Sequence, residues 1–336
     1  MKKNISVGIP VFNVEKYIER CLSSLFSQSI AKKIEFIIVN DCSADNSMKI
    51  IENICEKYKE LDINIISHEK NRGIAATRNT LLRNFHGDFF IMVDADDFVK
   101  TDFVERMYKT ALKDSSDIVI CSSYRTDSEN KLNKINDLKC IKRPVKIFRN
   151  NKDGIRYLLS ENKNSAMWCK LVKKSIFDKN NLSFEENIDI GEDTLMSAKL
   201  FYYAENISFI DEPLYYHFIN PASLTNSSYD TKGIELLKCC SRIEEFLNQL
   251  PEKNDFHNDI LYLKLRIKRQ LLEKTSNKNK YYQLYLETVS VAMKAKWIAP
   301  YMRLVLRYCV NYPFIADFIF SLKNLKNYFQ KKLLHN

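Results

Sequence analysis

The apolar positions in the first hundred residues switch repeatedly between a continuous run and a one-sided stripe. Residues 5–12, ISVGIPVF, are β-branched and apolar without interruption, as in a strand buried on both faces. Val14, Tyr17, Ile18, Cys21, Leu22, Leu25 and Phe26 then recur at helical spacing, which predicts an amphipathic helix with Asn13 as its N-cap. KIEFIIVND is a second continuous run, and SADNSMKIIENICEKY sets Met48, Ile51, Ile54, Cys55 and Tyr58 on one helical face. INIISHE reads as a third strand, IAATRNTLLRNF as a third helix, and DFFIMV, after a turn at Gly87, as a fourth strand. Strands alternating with helices in this order predict an α/β fold whose sheet is parallel and wrapped by helices.

Open parallel sheets bind ligands beyond the carboxyl ends of their strands. The second strand ends at Asp41, and the fourth runs into Asp94, Ala95, Asp96 and Asp97. Like charges this close repel, and buried unpaired charge costs several kcal/mol. A divalent cation among them turns the cluster favourable. Oxygen ligands suit Mg²⁺ or Mn²⁺, which keep one or two carboxylates, some waters and substrate phosphates. The acid strand end therefore predicts a metal and a phosphorylated ligand together. No GxxxxGK[ST] and no GxGxxG follows the first strand, so the ATPase and nicotinamide readings lose their motif.

Composition adds boundaries. The 336 residues are 45% hydrophobic and 28% charged, as in a globular protein. The start imitates a signal peptide, but its apolar part is short and Pro10 interrupts it. No apolar run reaches the roughly 18 residues of a membrane span, and nine cysteines lie scattered without CxxC spacing. These features predict a cytoplasmic chain with reduced thiols. The net charge of +10 is uneven: residues 231–336 hold 19 basic and 9 acidic side chains, while the rest balances. The expected division is 1–228, with halves 1–100 and 101–228, and a basic helical C-terminal region, 229–336.

Four segments, VGIPVFNVEKYIERCLSSLFSQS, IEFIIVNDCSADNS, NRGIAATRN and FIMVDADDF, occur in the order and spacing of the family 2 glycosyltransferases, with their GT-A, Rossmann-like nucleotide-sugar fold. A later block, MWCKLVKKSIFDKNNLSF to IGEDTLMSAKLFYYAENISFIDEPLYYHF, resembles the acceptor half of the same family. The resemblance reaches to about residue 225. It implies a metal-dependent inverting transfer from a nucleotide-diphosphate sugar, a UDP-sugar by preference, to a hydroxyl of a glycan or lipid-linked acceptor. Bacterial cell-surface polysaccharide or lipooligosaccharide synthesis is the implied setting.

By that resemblance DADD is the family's DxD signature. Asp94 sits near the ribose, while Asp96 and Asp97 hold the Mn²⁺ or Mg²⁺ that bridges the diphosphate. Asp41 meets the base, where a carboxylate can accept the imino proton of uracil. Arg78 lies near nucleotide and diphosphate, and Pro10, Phe12 and Ala95 border the nucleotide as backbone and packing. Asp193 is the general base, Glu192 orients the acceptor, and Trp168 and Lys170 line the acceptor pocket. His217 stands where a histidine can reach the metal or diphosphate, though a packed or surface histidine is the preferred reading, and the other four histidines show no partner pattern. Two positions depart from the family: Cys42 replaces a common glycine after Asp41, and Leu81 another after TRN.

The mechanism implied needs one base for the attacking hydroxyl and charge neutralisation for the departing diphosphate. Glycosidases need a second acid for their leaving oxygen. Rival readings expect other sequences. A dehalogenase-type phosphohydrolase carries its acid pair on the first strand. A sugar-phosphate nucleotidyltransferase has a glycine-rich basic loop where PVFNVEKY stands. A non-catalytic nucleotide-sugar-binding module predicts a degraded acid set. In the tail, DILYLKLRIKRQLLEK and MRLVLRYCV read as helical, and Phe314, Ile315, Phe318, Ile319, Leu322 and Leu325 form one apolar face beside Lys323, Lys326, Lys331 and Lys332. That pattern fits packing on the catalytic domain or on a second copy in a homodimer. It equally fits peripheral contact with anionic lipid on the inner face of the cytoplasmic membrane. No nucleic-acid motif is present.

Overall fold

The structure, a computed structural model, describes residues 3–126, 139–141, 148, 151–161, 165–188, 190–220, 229–274, 284–285 and 287–291. Among these, strands β1 (Ile5–Val11), β2 (Ile34–Asn40), β3 (Asp62–Ser67) and β4 (Phe89–Met92) are parallel and ordered β3-β2-β1-β4. Every residue of β1, β2 and β4 is buried, as their unbroken apolar runs require when helices cover both faces. β3, at the outer edge, is mostly exposed. Helices α1 (Ile18–Phe26), α2 (Ser47–Cys55) and α3 (Ile74–Asn84) make the crossovers.

The sheet continues with β5 (Phe98–Val99), helix α4 (Phe103–Lys113), β6 (Ile118–Thr126) and β7 (Lys139–Ile141). Next come α5 (Asn151–Glu161), β8 (Lys170–Lys173), α6 (Lys174–Asn180), α7 (Glu192–Tyr203) and β9 (Ile207–Phe218). The full order is β3-β2-β1-β4-β8-β6-β9-β5, with β7 on β6. β8 enters antiparallel between β4 and β6, and β5 is antiparallel on β9. β6 and β9 pair in parallel across a register shift near Ser122, the kink a bulge produces. This curled, mostly parallel sheet flanked by helices brings the ends of β2, β4 and β9 towards the ligand edge.

Two local findings refine the expected elements. Helix α1 starts at Ile18, not directly after Asn13. Asn13 has a left-handed φ of 50°, and its Oδ1 accepts from the Ala44 amide at 2.9 Å. It ties the end of β1 to the loop after β2, and this bond replaces the cap. At Gly87 an added Cβ would lie 2.7 Å from the Ser6 nitrogen, so glycine is required by close approach of two backbones.

The chain divides into two compact units: residues 1–154 with 166–223, and residues 155–165 with 224–336. In the second, α8 (Tyr229–Asn248) buries Cys239, Cys240, Ile243 and Leu247, and α9 (His257–Lys274) buries Leu263, Leu265 and Ile267. Positions two apart point to different sides of a helix, so α9 is enclosed on more than one face. Burial raises the Asp259 carboxyl to about 6, against the Arg156 guanidinium 3.6 Å away. The MRLVLRYCV segment and the apolar face from Phe314 to Leu325 lie outside the described residues. Among the described residues no helix is long and apolar enough to cross a membrane.

Candidate active site

β4 delivers its carboxylates through a clamped turn. The Asp97 amide donates to the Asp94 carbonyl at 3.0 Å, and Arg20 of α1 donates to the Asp96 carbonyl at 2.8 Å. The Arg20 guanidinium also lies 4.6 Å over the Phe98 ring and 4.7 Å over Phe218. The Tyr215 hydroxyl accepts from the Asp94 amide at 3.2 Å and donates to Asp97 at 2.6 Å. One strand therefore fixes both ends of DADD.

The three acids have different fates. Asp97 is fully buried, and its carboxylate accepts from Tyr215 and from the Phe218 amide at 2.7 Å. Burial, then the Asp96 and Asp94 charges, raise it well above the carboxylate range. Asp96 accepts from the Asn220 side-chain amide at 3.2 Å, and burial raises it. Asp94 is raised to about 6 by burial, with Asp193 and Asp96 adding and Arg78 opposing. Ala95 between them is buried.

Arg78 is the hub. On α3 it is only 4% exposed, yet it meets carboxylates from two other elements. Its Nη1 donates to Glu192 at 2.6 Å and to Asp193, both in the first turn of α7, and its Nη2 lies 3.5 Å from Asp94. Burial works against its charge, but Asp193, Glu192 and Asp94 raise its pKa further. Its Nε is a buried donor without a partner among the described residues. Glu192 is raised to about 7 by burial and by Asp193. The neighbouring Asn79 accepts from the Phe184 amide at 2.7 Å and donates back to its carbonyl at 2.9 Å. TRN thus joins the helix after β3 to the segment leading into α7. Gly191, with φ 99°, is the N-cap of α7, a conformation that glycine adopts without steric cost. Asp193 Oδ2 also accepts from the Met167 amide at 3.1 Å.

Trp168 stacks on Tyr215 at 4.7 Å and on His217 at 5.0 Å. Burial, then Arg125, lowers His217 to about 4, so its imidazole is neutral at pH 7. Lys170 is 1% exposed and donates to the Ala166 carbonyl, which shapes the Ala166–Trp168 segment from inside. Pro10 is buried in β1, whereas Phe12 is 47% exposed beyond its end.

Asp41 follows β2 and accepts from His68 Nδ1 at 2.7 Å, the Arg72 amide at 2.9 Å and the Gly73 amide at 2.8 Å. His68 lacks a partner pattern in the linear sequence, yet β2 and β3 align Asn40 with Ser67. The next residues on these strands, Asp41 and His68, are thus neighbours, and the strand order alone would have paired them. His86 likewise meets Glu35 at 2.6 Å.

Among the described residues no three His, Cys, Asp or Glu side chains form a closed metal cage. The donor set fits Mg²⁺ or Mn²⁺ in another way. Asp94 and Asp96 are desolvated oxygen donors, the Asp96 charge adding to the rise at Asp94, and such a cation takes only one or two protein carboxylates beside substrate phosphates.

The comparisons with known proteins agree on the fold. The crystal structure of S. aureus TarS 1–349 in complex with UDP-GlcNAc superposes with a TM-score of 0.63 at 19% identity, over 88% of this chain and 81% of that one. The mannosyltransferase PcManGT from Pyrobaculum calidifontis, in complex with GDP-Man and Mn²⁺, gives 0.53 at 14% identity, over 100% and 87%. The fold is therefore that of the GT-A glycosyltransferases. The family model for glycosyl transferase family 2 matches residues 6–180, and the chain belongs to that family. It is 30% identical to the uncharacterized glycosyltransferase EpsJ of Bacillus subtilis over 67% of this chain and 64% of that protein. With glycosyltransferase GlyA of Streptococcus pneumoniae the identity is 32%, over 66% and 31%. The chain thus spans less than two thirds of either relative. The poly(ribitol-phosphate) beta-N-acetylglucosaminyltransferase TarS of Staphylococcus aureus is 28% identical over 63% of this chain and 35% of that protein.

Proposed function

We propose that this enzyme is a metal-dependent inverting glycosyltransferase that moves a hexosyl or N-acetylhexosaminyl group from a UDP-sugar to a hydroxyl of a glycan or lipid-linked acceptor. The observation that carries the reading is the convergence of Asp94, Glu192 and Asp193 on the single guanidinium of Arg78, with Asp96 two residues from Asp94. One cation shared by three carboxylates leaves net negative charge where a diphosphate has to sit, and an added divalent cation would offset it.

In the reaction Asp193 takes the proton of the acceptor hydroxyl as its oxygen forms the new bond to the anomeric carbon. The bond from that carbon to the diphosphate breaks on the opposite face, and the nucleoside diphosphate leaves with the electron pair. Attack from the opposite face inverts an α-linked donor to a β-linked product. Asp96 and Asp94 would hold the Mn²⁺ or Mg²⁺, in place of the expected pair Asp96 and Asp97 because Asp97 is buried and bonded to Tyr215 and Phe218, and the ion would neutralise the leaving diphosphate. His217 is neutral and stacks on Trp168. Asp97, bonded to Tyr215, keeps the turn in place. Glu192 and Trp168 face the acceptor, and Phe12 the base.

The setting proposed is cell-surface polyol-phosphate or polysaccharide glycosylation in bacteria, by analogy with the relatives. The basic C-terminal region would reach anionic lipid from the cytoplasm. The test is a panel of nucleotide sugars with Mn²⁺, read by nucleotide release, with a poly(ribitol-phosphate) chain among the acceptors. Release should be acceptor-dependent and lost with EDTA, and Asp96→Ala should lower it by about 100-fold or more. Turnover that ignores EDTA, or survives Asp96→Ala, rejects the reading.

A further inference from the structure

His68 belongs to no part of the transfer chemistry, yet it is built into the site. Its side chain is 6% exposed and that of Asp41 4%. A carboxylate offers about four lone-pair sites and, in its ionised form, only accepts. Three of those sites are taken: Oδ1 by His68 Nδ1–H and the Arg72 amide, Oδ2 by the Gly73 amide. His68 is itself anchored, its Nε2 lying 2.9 Å from the Thr80 hydroxyl, which also accepts from Arg83 Nη2 at 2.9 Å. A hydroxyl can give or take a proton, so the Nε2 contact is met in either imidazole form. The row Arg83, Thr80, His68, Asp41 runs from α3 to the end of β2. Its Thr80–His68–Asp41 end is buried and serves no nucleophile. What it does is stop the carboxylate from turning.

We propose that His68 is a specificity-determining positioning residue: by locking the Asp41 carboxylate it restricts the nucleotide site to bases that present an imino N–H, such as uracil, and rejects cytosine. The inference rests on the nucleotide-sugar reading given above. Uracil and cytosine differ at two neighbouring points of one ring edge. N3 of uracil donates, whereas N3 of cytosine accepts and its 4-amino group donates. A carboxylate free to rotate can swing from the first donor to the second. A carboxylate held on three sides cannot, and then faces the cytosine N3 acceptor without a proton between them, which is unfavourable. The locking bond is thus worth more to discrimination than to affinity.

The experiment is calorimetric titration of the full-length protein with UDP and with CDP in the presence of MnCl₂. The proteins compared are wild type, His68→Ala, His68→Asn and Thr80→Val. His68→Ala should lower the UDP-over-CDP preference by about tenfold, chiefly because CDP tightens, with a smaller weakening of UDP. In His68→Asn the amide N–H stands in for Nδ1–H towards Asp41, and most of the preference should return. Thr80→Val, which frees the far end of the imidazole, should move the ratio in the same direction by a smaller factor. Thermal melts identify variants that have lost the fold, and if His68→Ala is one of them the ratio is read from Thr80→Val. An unchanged ratio, equal weakening of both nucleotides, or His68→Asn behaving as His68→Ala overturns the proposal. A wild-type protein that binds neither nucleotide overturns the donor reading beneath it instead.

Discussion

At the end of β2 a single carboxylate, Asp41, meets three donors, while between β4 and α7 three carboxylates share one guanidinium. Both sites sit at the same edge of one sheet, and both are largely buried. The first is closed by hydrogen bonds from its own neighbourhood and needs no ion. The second is under-compensated: its Asp94 and Glu192 are pushed up to about 6 and about 7. One is built for shape and the other for charge. Removing an acid should therefore have opposite effects on stability in the two places.

Asp193→Asn gives the largest expected effect. Loss of the base should lower transfer by about 10³-fold with nucleotide affinity retained. The same change removes one surplus negative charge beside Asp94 and Glu192, so the melting temperature should hold or rise, the trade-off expected where function strains a fold. Asp41→Asn should instead lower the melting temperature, because the carboxamide keeps only one acceptor oxygen and sets an NH2 donor against an N–H of the three that Asp41 now serves. Parallel melts and rate measurements on the two variants decide, and a destabilised Asp193→Asn would erase the contrast.

Arg78→Met comes next. It strands three carboxylates in a buried cluster, and breaking such a set by removing one partner costs about 3 kcal/mol or more. Urea unfolding of the metal-free protein reads this loss. The deficit should shrink at pH 5, where the stranded acids take up protons. A loss that does not depend on pH would mean that Arg78 acts through packing against Phe184, 5.5 Å below its guanidinium.

The pH dependence of the intact protein is a gentler probe. Glu192 has a folded value near 7 against an ordinary 4.5. A carboxyl raised by folding binds its proton more tightly in the native state. Its contribution is most favourable below about 4.5 and is lost as pH rises towards 7. Wild-type stability should therefore carry a falling component between these values, and Glu192→Gln should flatten it. If the slope is the same in both proteins, the burial of Glu192 is not what shifts it.

The two regions also differ in how far the sequence reveals them. The β2 side is nearly readable in full, because its unbroken runs name the strands and adjacent strand ends meet by register, so Asp41 and His68 follow from the order β3-β2-β1. The charge site is not. β8 enters the sheet antiparallel from MWCKLVKK, a segment without clear alternation, and no local pattern predicts that. Glu192 and Asp193 are visible as first-turn acids, the ordinary complement of a helix dipole. Their partner lies 114 and 115 residues away on α3, and only the closed sheet brings them together. The fate of Asp97 is equally hidden. Its neighbours in sequence are ligand-edge acids, and its confinement comes from Tyr215 on a strand that starts more than a hundred residues later. Asn13 shows the converse, since a good local cap signal yields to a bond with Ala44 across the sheet edge.

The smallest expected effect falls inside the shape-built region. Cys42, next to Asp41, holds φ at 60°, the left-handed region that costs a non-glycine residue about 1 kcal/mol or more. By the resemblance to family 2 glycosyltransferases, this is a position that commonly holds glycine. The thiol returns little, its Sγ reaching only the Glu69 carbonyl at 3.7 Å from an exposed position. Cys42→Gly relieves the strain but adds freedom to the unfolded chain, and the two terms are of similar size, so the net gain should be below about 1 kcal/mol. Cys42→Val, branched at Cβ, should lose stability instead. Nucleotide affinity should not follow either change, because Asp41 is held by His68 and by the Arg72 and Gly73 amides, not by the residue after it. If affinity tracked the strain at Cys42, the carboxylate would be positioned by its own turn, and the distinction between a site closed by its surroundings and one left open for an ion would fail at the point where it is most definite.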